Sequence, residues 1–229
     1  MKNKISGATI LLALMLWAGS AQATLIGYTD KASFDAAIAG FSAKQTVNFD
    51  SLAAGTTIAS GGGTGGLTFN YSIAGPSTLR VSNTFGTTSG SNYLGLNNAD
   101  TAFYLGDSFT INFNRMVHAI GLYLIAGRDA QASDLQLSVA GGSVFNSALP
   151  DRLLSDGNAF YLGLVESDAE LGFMSATLQI VRTPNAFLAV TADDITSAVN
   201  GVSTVPEPAT WGLMFAGIAL LATMRRRKR

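Results

Sequence analysis

The 229-residue chain has no cysteine, one histidine and only 13% charged residues, and each shortage removes a class of chemistry. Without thiols there are no disulfides, no thiolate zinc sites and no cysteine nucleophile. A single histidine, His118, leaves no pair for a histidine zinc site. A Ser-His-Asp hydrolase would have to be built around that one imidazole, and no Gly-x-Ser-x-Gly elbow is present to present its serine. Cations are scarce where they would matter for nucleic acid. Between residues 24 and 204 there are seven, Lys31, Lys44, Arg80, Arg115, Arg128, Arg152 and Arg182, against 14 acids, so this stretch is seven units negative. It has no basic face for a phosphate backbone, and no nucleic-acid partner is expected.

The missing cations are at the ends. Lys2 and Lys4 precede a short apolar run, Ile10 to Trp17, and Ala21 and Ala23 flank Gln22 in the small-x-small pattern that a signal peptidase cuts. Residues 1–23 therefore read as a signal peptide, with the mature chain starting at Thr24. The run is too short to stay as a spanning helix. At the other end, residues 209–224 carry no charge and would make a helix of roughly 24 Å, short of a hydrocarbon core of about 30 Å. Trp211 suits the interface, and Arg225, Arg226, Arg227, Lys228 and Arg229 suit the cytoplasmic side, where long basic side chains snorkel. Both ends imply one topology: body outside, basic cluster inside, with a single transmembrane helix between. Ahead of that helix, Pro206 and Pro208 around Glu207 hold the backbone extended, the shape a protease cleft accepts.

The body, residues 24–204, has the length of one domain, stabilised by packing without disulfides, with or without the help of bound ions. Its first element is a short helix in "YTDKASFDAAIAG". Thr29 or Asp30 can cap it, Phe34, Ala37 and Ile38 share a face, and Gly40 stops it. Then the period changes to two. Val47 and Phe49 fall on one side of "TVNFD"; Leu67, Phe69, Tyr71 and Ile73 on one side of "LTFNYSI"; Phe109, Ile111 and Phe113 oppose Thr110 and Asn112; Leu135, Leu137 and Val139 repeat the pattern. "VHAIGLYLIA" and "AFYLGLV" are apolar on both faces and read as central strands. "SATLQIV", "AFLAV" and the end around Asp194–Ile195 are later strands, separated by turn-forming segments. Such a series predicts a mainly β protein, one antiparallel β-sandwich of jelly-roll type with one short N-terminal helix.

Candidate chemistry is sparse. "AGTTIASGGGTGG" lacks the Gly-Lys-Ser/Thr ending of a phosphate loop and reads as a flexible connection. His118 is expected to pack on the face of Met116, Ile120 and Leu122. Asp129, Asp134, Asp151, Asp156, Glu166, Asp168, Glu170, Asp193 and Asp194 gather in turns and could offer oxygens to calcium, without EF-hand spacing; no other cofactor or metal is expected. A pair of these acids facing across a cleft would be the minimum for a glycosidase, an arrangement that spacing alone does not reveal. Tyr28, Phe85, Tyr93 and Tyr104 lie near loops where an exposed ring could stack on sugars or plug the core. The sequon at Asn70 sits inside a strand and is read as chance.

Pro206-Glu207-Pro208, one hydrophobic helix and a terminal basic cluster, in that order, resemble the PEP-CTERM sorting signal, which here occupies residues 205–229. The resemblance implies a membrane-embedded exosortase that recognises the tail, cuts near the motif and releases or transfers the body. It implies a Gram-negative host making exopolysaccharide or biofilm matrix. The order of pieces from the "F…AA" helix through "VNFD" and "GDSFTINFNRMVHAIGLYL" to "DDI" is also similar to a body recurrent among PEP-CTERM proteins, which brings no single activity with it. The expectation is a non-enzymatic, exported surface or matrix-associated protein. The alternatives are a carbohydrate-binding module of the matrix and, behind it, a secreted hydrolase.

Overall fold

A computed structural model describes residues 25–73, 75–139, 144–181 and 188–201. In chain order the elements are β1 (Leu25–Tyr28), α1 (Lys31–Ala37), β2 (Ser42–Val47), β3 (Thr57–Ile58), β4 (Gly63–Thr64), β5 (Leu67–Ser72), β6 (Leu79–Ser82), β7 (Tyr93–Leu96), β8 (Ser108–Val117), β9 (Ala119–Ala126), β10 (Leu135–Val139), β11 (Phe145–Asn146), β12 (Arg152–Leu153), β13 (Asn158–Glu166), β14 (Phe173–Ile180) and β15 (Val190–Val199). They form two antiparallel sheets. The larger has the order β1-β13-β9-β15-β7-β6-β3, with β12 on β13 and β2 on β15; the smaller has the order β11-β10-β14-β8-β5-β4.

The sheets face each other across one core, to which the smaller contributes Phe69, Phe109, Ile111, Leu137 and Leu178 and the larger Leu79, Leu94, Leu122, Leu124, Leu162 and Val190. The smaller sheet keeps its other face in water, so its strands alternate: Phe109, Ile111 and Phe113 are buried, while Thr110 and Asn112 are only half-buried. On that outer face Thr110 and Thr177 meet across the strands, hydroxyl to hydroxyl at 2.9 Å. The larger sheet does not alternate, because its second face is covered too. Every residue of β9 is buried.

Its cover is partly α1. Asp30 caps the helix, accepting from the Ser33 amide at 2.8 Å, and the helix buries Phe34 and Ile38. Phe34 can approach the sheet because Gly121 and Gly163 are directly opposite each other on β9 and β13. A Cβ on Gly163 would lie 2.6 Å from the Phe34 ring, and one on Gly121 2.9 Å from it. Two facing glycines thus form a notch that admits the Phe34 ring and, nearest Gly121, the hydroxyl end of Tyr161; Tyr28 and Tyr161 pack on Phe34 edge-on and tilted at centroid distances of 6.1 and 5.5 Å.

Several expectations change. Val47 ends β2, and Phe49, expected two residues along the same strand, lies beyond it at φ 61 with its side chain fully in the core. The glycine-rich segment is no flexible connection: it contains β3 and β4, and the Gly61 amide donates to Phe69 at 2.8 Å. Of the expected strand "AFLAV" only Val190 is in a strand: Leu188 and Ala189 precede it, Ala186 and Phe187 lie outside the described residues, and β15 runs unbroken from Val190 through Asp194–Ile195 to Val199. Asp193 and Asp194 are therefore not in a turn.

Candidate functional site

Residues 83–92, "NTFGTTSGSN", join β6 to β7 and cross the outer face of the larger sheet. A connection there must find partners for its amides, and this one finds them in carboxylates from three distant segments. Asp156 accepts from the Gly86 amide at 2.6 Å. Asp193 accepts from the Thr88 and Ser89 amides at 3.0 and 3.1 Å and from both hydroxyls. Asp50 accepts from the Ser91 and Asn92 amides at 2.8 and 2.9 Å. The carboxylates sit so close that side chains are excluded at the facing positions. A Cβ on Gly86 would lie 2.6 Å from Asp156, and on Gly90, at φ +43, 2.2 Å from Asp50. Gly90→Ala is therefore expected to cost about 2 kcal/mol, from left-handed strain plus a displaced Asp50. Hydrogen exchange at Ser91 and Asn92 should accelerate correspondingly, and unchanged protection would refute the clamp.

Asp193 is fully buried and lies at a register shift where β15 pairs with β9; Asp194 follows at φ 50. Burial, with the adjacent Asp194 carboxylate, pushes the Asp193 pKa up to about 7, against the pull of its hydrogen bonds from Asp194, Thr88 and Ser89. Thr88 bridges the pair, its hydroxyl 3.0 Å from an oxygen of each. A raised carboxyl of this kind is a common mark of catalysis, but here its oxygens face the loop that covers it.

The clamp also places Phe85. Its ring stacks on the buried Tyr93 at 6.3 Å and 22°, yet remains 40% exposed. Beside it opens a cavity of about 110 Å3 lined by Phe85, Ala102, Ile125, Gly127, Asp156 and Thr191, among others. Thr191 is 3% exposed, and its hydroxyl oxygen has no hydrogen-bond partner.

The other singled-out residues take separate structural roles. His118 is buried at the corner where β8 of one sheet passes into β9 of the other. Its Nδ1 accepts from the Asn200 amide at 3.2 Å, so Nε2 carries the proton and donates to Ala169 at 2.9 Å. Ile120 and Leu122 join the core, whereas Met116 is 44% exposed. Tyr28 packs on Phe34, and Tyr93 is buried with its hydroxyl 2.7 Å from that of Thr101. Tyr104 donates to Asp100. Asp151 accepts from Tyr123, Glu166 from the Asp168 amide and Asp168 from the Glu170 amide. Among the described residues no three of His, Cys, Asp or Glu are grouped to hold a metal ion. Ala21, Ala23, Pro206, Glu207, Pro208 and the cluster Arg225–Arg229 lie outside the described residues, as does the segment 209–224. Among the described residues no helix is long and apolar enough to cross a membrane.

A family model for the PEP-CTERM protein-sorting motif matches residues 204–229. The chain carries a PEP-CTERM protein-sorting motif. The PEP-CTERM tail marks it for recognition by an exosortase, for export and for sorting to the cell surface. No curated protein matches this chain in sequence. Among solved structures, the K2 cleaved adhesin domain of Lys-gingipain is 11% identical, over 68% of this chain and 99% of that one, with a TM-score of 0.44. A family 29 carbohydrate-binding module is 10% identical over 73% and 96%, with a TM-score of 0.30. The C-terminal family 22 module of Clostridium thermocellum Xyn10B is 16% identical over 73% and 97%, with a TM-score of 0.25.

Proposed function

We propose that this chain is a non-enzymatic surface or matrix-associated protein whose jelly-roll-like body is delivered by two successive cuts. Signal peptidase removes residues 1–23 after Ala21-Gln22-Ala23, and the body, residues 24–204, crosses the inner membrane. Residues 209–224 then stop in the bilayer as a single span, braked by Arg225, Arg226, Arg227, Lys228 and Arg229 on the cytoplasmic side. The stop presents Pro206-Glu207-Pro208 as a stiff, extended stalk to the exosortase. The body leaves the membrane for the cell surface or an exopolysaccharide matrix.

The match of the sorting motif to residues 204–229 carries this reading. The body's chemistry supports the non-enzymatic part: among the described residues the one carboxyl with a strongly raised pKa, Asp193, is fully buried, and His118 has both ring nitrogens engaged. Replacing Pro206, Glu207 and Pro208 together with alanine in the native host tests the route. Uncut protein should collect in the inner-membrane fraction, with most of the surface or released form lost. Wild-type amounts of processed protein at the wild-type location would overturn the reading.

A further inference from the structure

The cavity beside Phe85 is not a leftover of sheet packing. It lies on the outer face of the larger sheet, where α1 covers one part and the carboxylate-clamped loop another. Thr191 pairs with Ile125 across β15 and β9, and both line it. A hydroxyl buried without a partner costs roughly 1–3 kcal/mol, and such groups are rare in native proteins. The Thr191 hydroxyl is thus an unexplained polar atom enclosed just behind the wall of an open hollow that its residue lines.

The remaining walls define what would satisfy it. Phe85 offers a half-exposed ring face held in place by Tyr93 and by the clamp on Gly86. Ala102, Ile125, Ala126, Gly127 and Ala189 are small or apolar. Asp156 spends one carboxylate oxygen, Oδ2, on the Gly86 amide, leaving Oδ1 to accept from a ligand donor. The complementary molecule is small and uncharged, with a C–H face for the ring, whose electron-rich surface attracts it, and at least two hydroxyls diverging from that face. A purely apolar occupant would leave Thr191 and Asp156 unsatisfied, and a planar aromatic one would lack the diverging donors. About 110 Å3 admits one edge of a six-membered ring with its substituents outside.

We propose that this cavity is a binding subsite for one neutral pyranose unit of a saccharide. The ring lies on Phe85, one hydroxyl donates to Asp156 and another pairs with the Thr191 hydroxyl, which a χ1 rotation turns from its enclosed position into the hollow. The site is independent of the sorting route, so each can fail without the other.

The test is an NMR titration of the mature protein recovered from its host with methyl α-D-glucopyranoside, methyl α-L-rhamnopyranoside and N-acetyl-D-glucosamine. Cyclohexanol, with one hydroxyl and a similar ring, is the control. At least one sugar should shift the Phe85 ring and Thr191 amide resonances at millimolar concentration, and bind at least tenfold more tightly than cyclohexanol. Phe85→Ala and Thr191→Val should each weaken that sugar about tenfold, the energy of one lost stacking or hydrogen-bonding contact. Thr191→Val should not lower the melting temperature, because it replaces an unpartnered hydroxyl with a methyl group, which separates lost binding from lost folding. The proposal is overturned if none of the three sugars shifts those resonances, if cyclohexanol binds as well, or if binding survives both substitutions.

Discussion

Phe34→Ala should lower the stability of the body by about 3–5 kcal/mol, the largest effect expected of any single side chain on the outer face of the larger sheet. Phe34 is fully buried and touches no core between the sheets; it belongs to a second cluster with Ile38, Tyr123, Ile125, Tyr161 and Val165. Its removal leaves a hole floored by Gly121 and Gly163, which have no side chains to relax into it. Helix α1, seven residues long, is too short to persist without its anchor, so part of the loss appears as helix melting. The midpoint of urea unfolding should fall accordingly. The notch makes a second, sharper demand. Gly163→Val drives branches into the space of the Phe34 ring and should cost about 1–3 kcal/mol on its own. With the ring already displaced, adding Phe34→Ala should cost much less than it does alone. Strict additivity of the two would show that the glycines and the ring are unconnected.

Lowering the pH from 8 to 5.5 should stabilise the body by about 2 kcal/mol, opposite to ordinary acid destabilisation. The sign follows from Asp193, whose pKa is raised from 3.8 to about 7 by burial and by Asp194. In the unfolded chain it titrates near 4, so between 4 and 7 the native state holds more protons and gains stability as pH falls. The gain is complete below the unfolded value and lost as pH rises through about 7; in full it approaches about 4 kcal/mol, at 1.36 kcal/mol per unit. Asp193→Asn should flatten the profile between pH 8 and 5.5. The amide keeps an oxygen for the Thr88 and Ser89 amides and carries no charge to titrate, while its NH2 replaces the Oδ1 that accepts from the Asp194 amide at 2.8 Å, a loss that offsets the removal of a buried like-charge pair. A wild-type profile that falls from pH 8 to 5.5, or an asparagine variant with the same slope, would contradict this.

How legible these features were in the sequence depends on how local their causes are. The smaller sheet could be read directly, because water on one face enforces the alternation of Phe109, Ile111 and Phe113 with Thr110 and Asn112. The central strands β9 and β13 were visible as apolar runs, but not what covers them. That depends on Gly121 and Gly163, 42 positions apart, falling opposite each other. Asp193 and Asp194 looked like turn acids, since the donors that bury Asp193 come from Thr88 and Ser89, more than a hundred positions away. Phe85 and Asp156 stood out individually, yet Ile125 read only as a strand residue and Thr191 fell between two expected strands, and the four meet through tertiary structure alone. The sorting tail was legible because its motif is contiguous: two prolines, an apolar run and a basic cluster act in sequence order.

The most direct test of the central claim is the intact mass of the protein purified from the surface or medium of its native host. The account predicts a chain beginning at Thr24 and lacking Trp211 through Arg229, cut near Pro206-Glu207-Pro208. A mature protein that still carries Trp211 through Arg229 would contradict it.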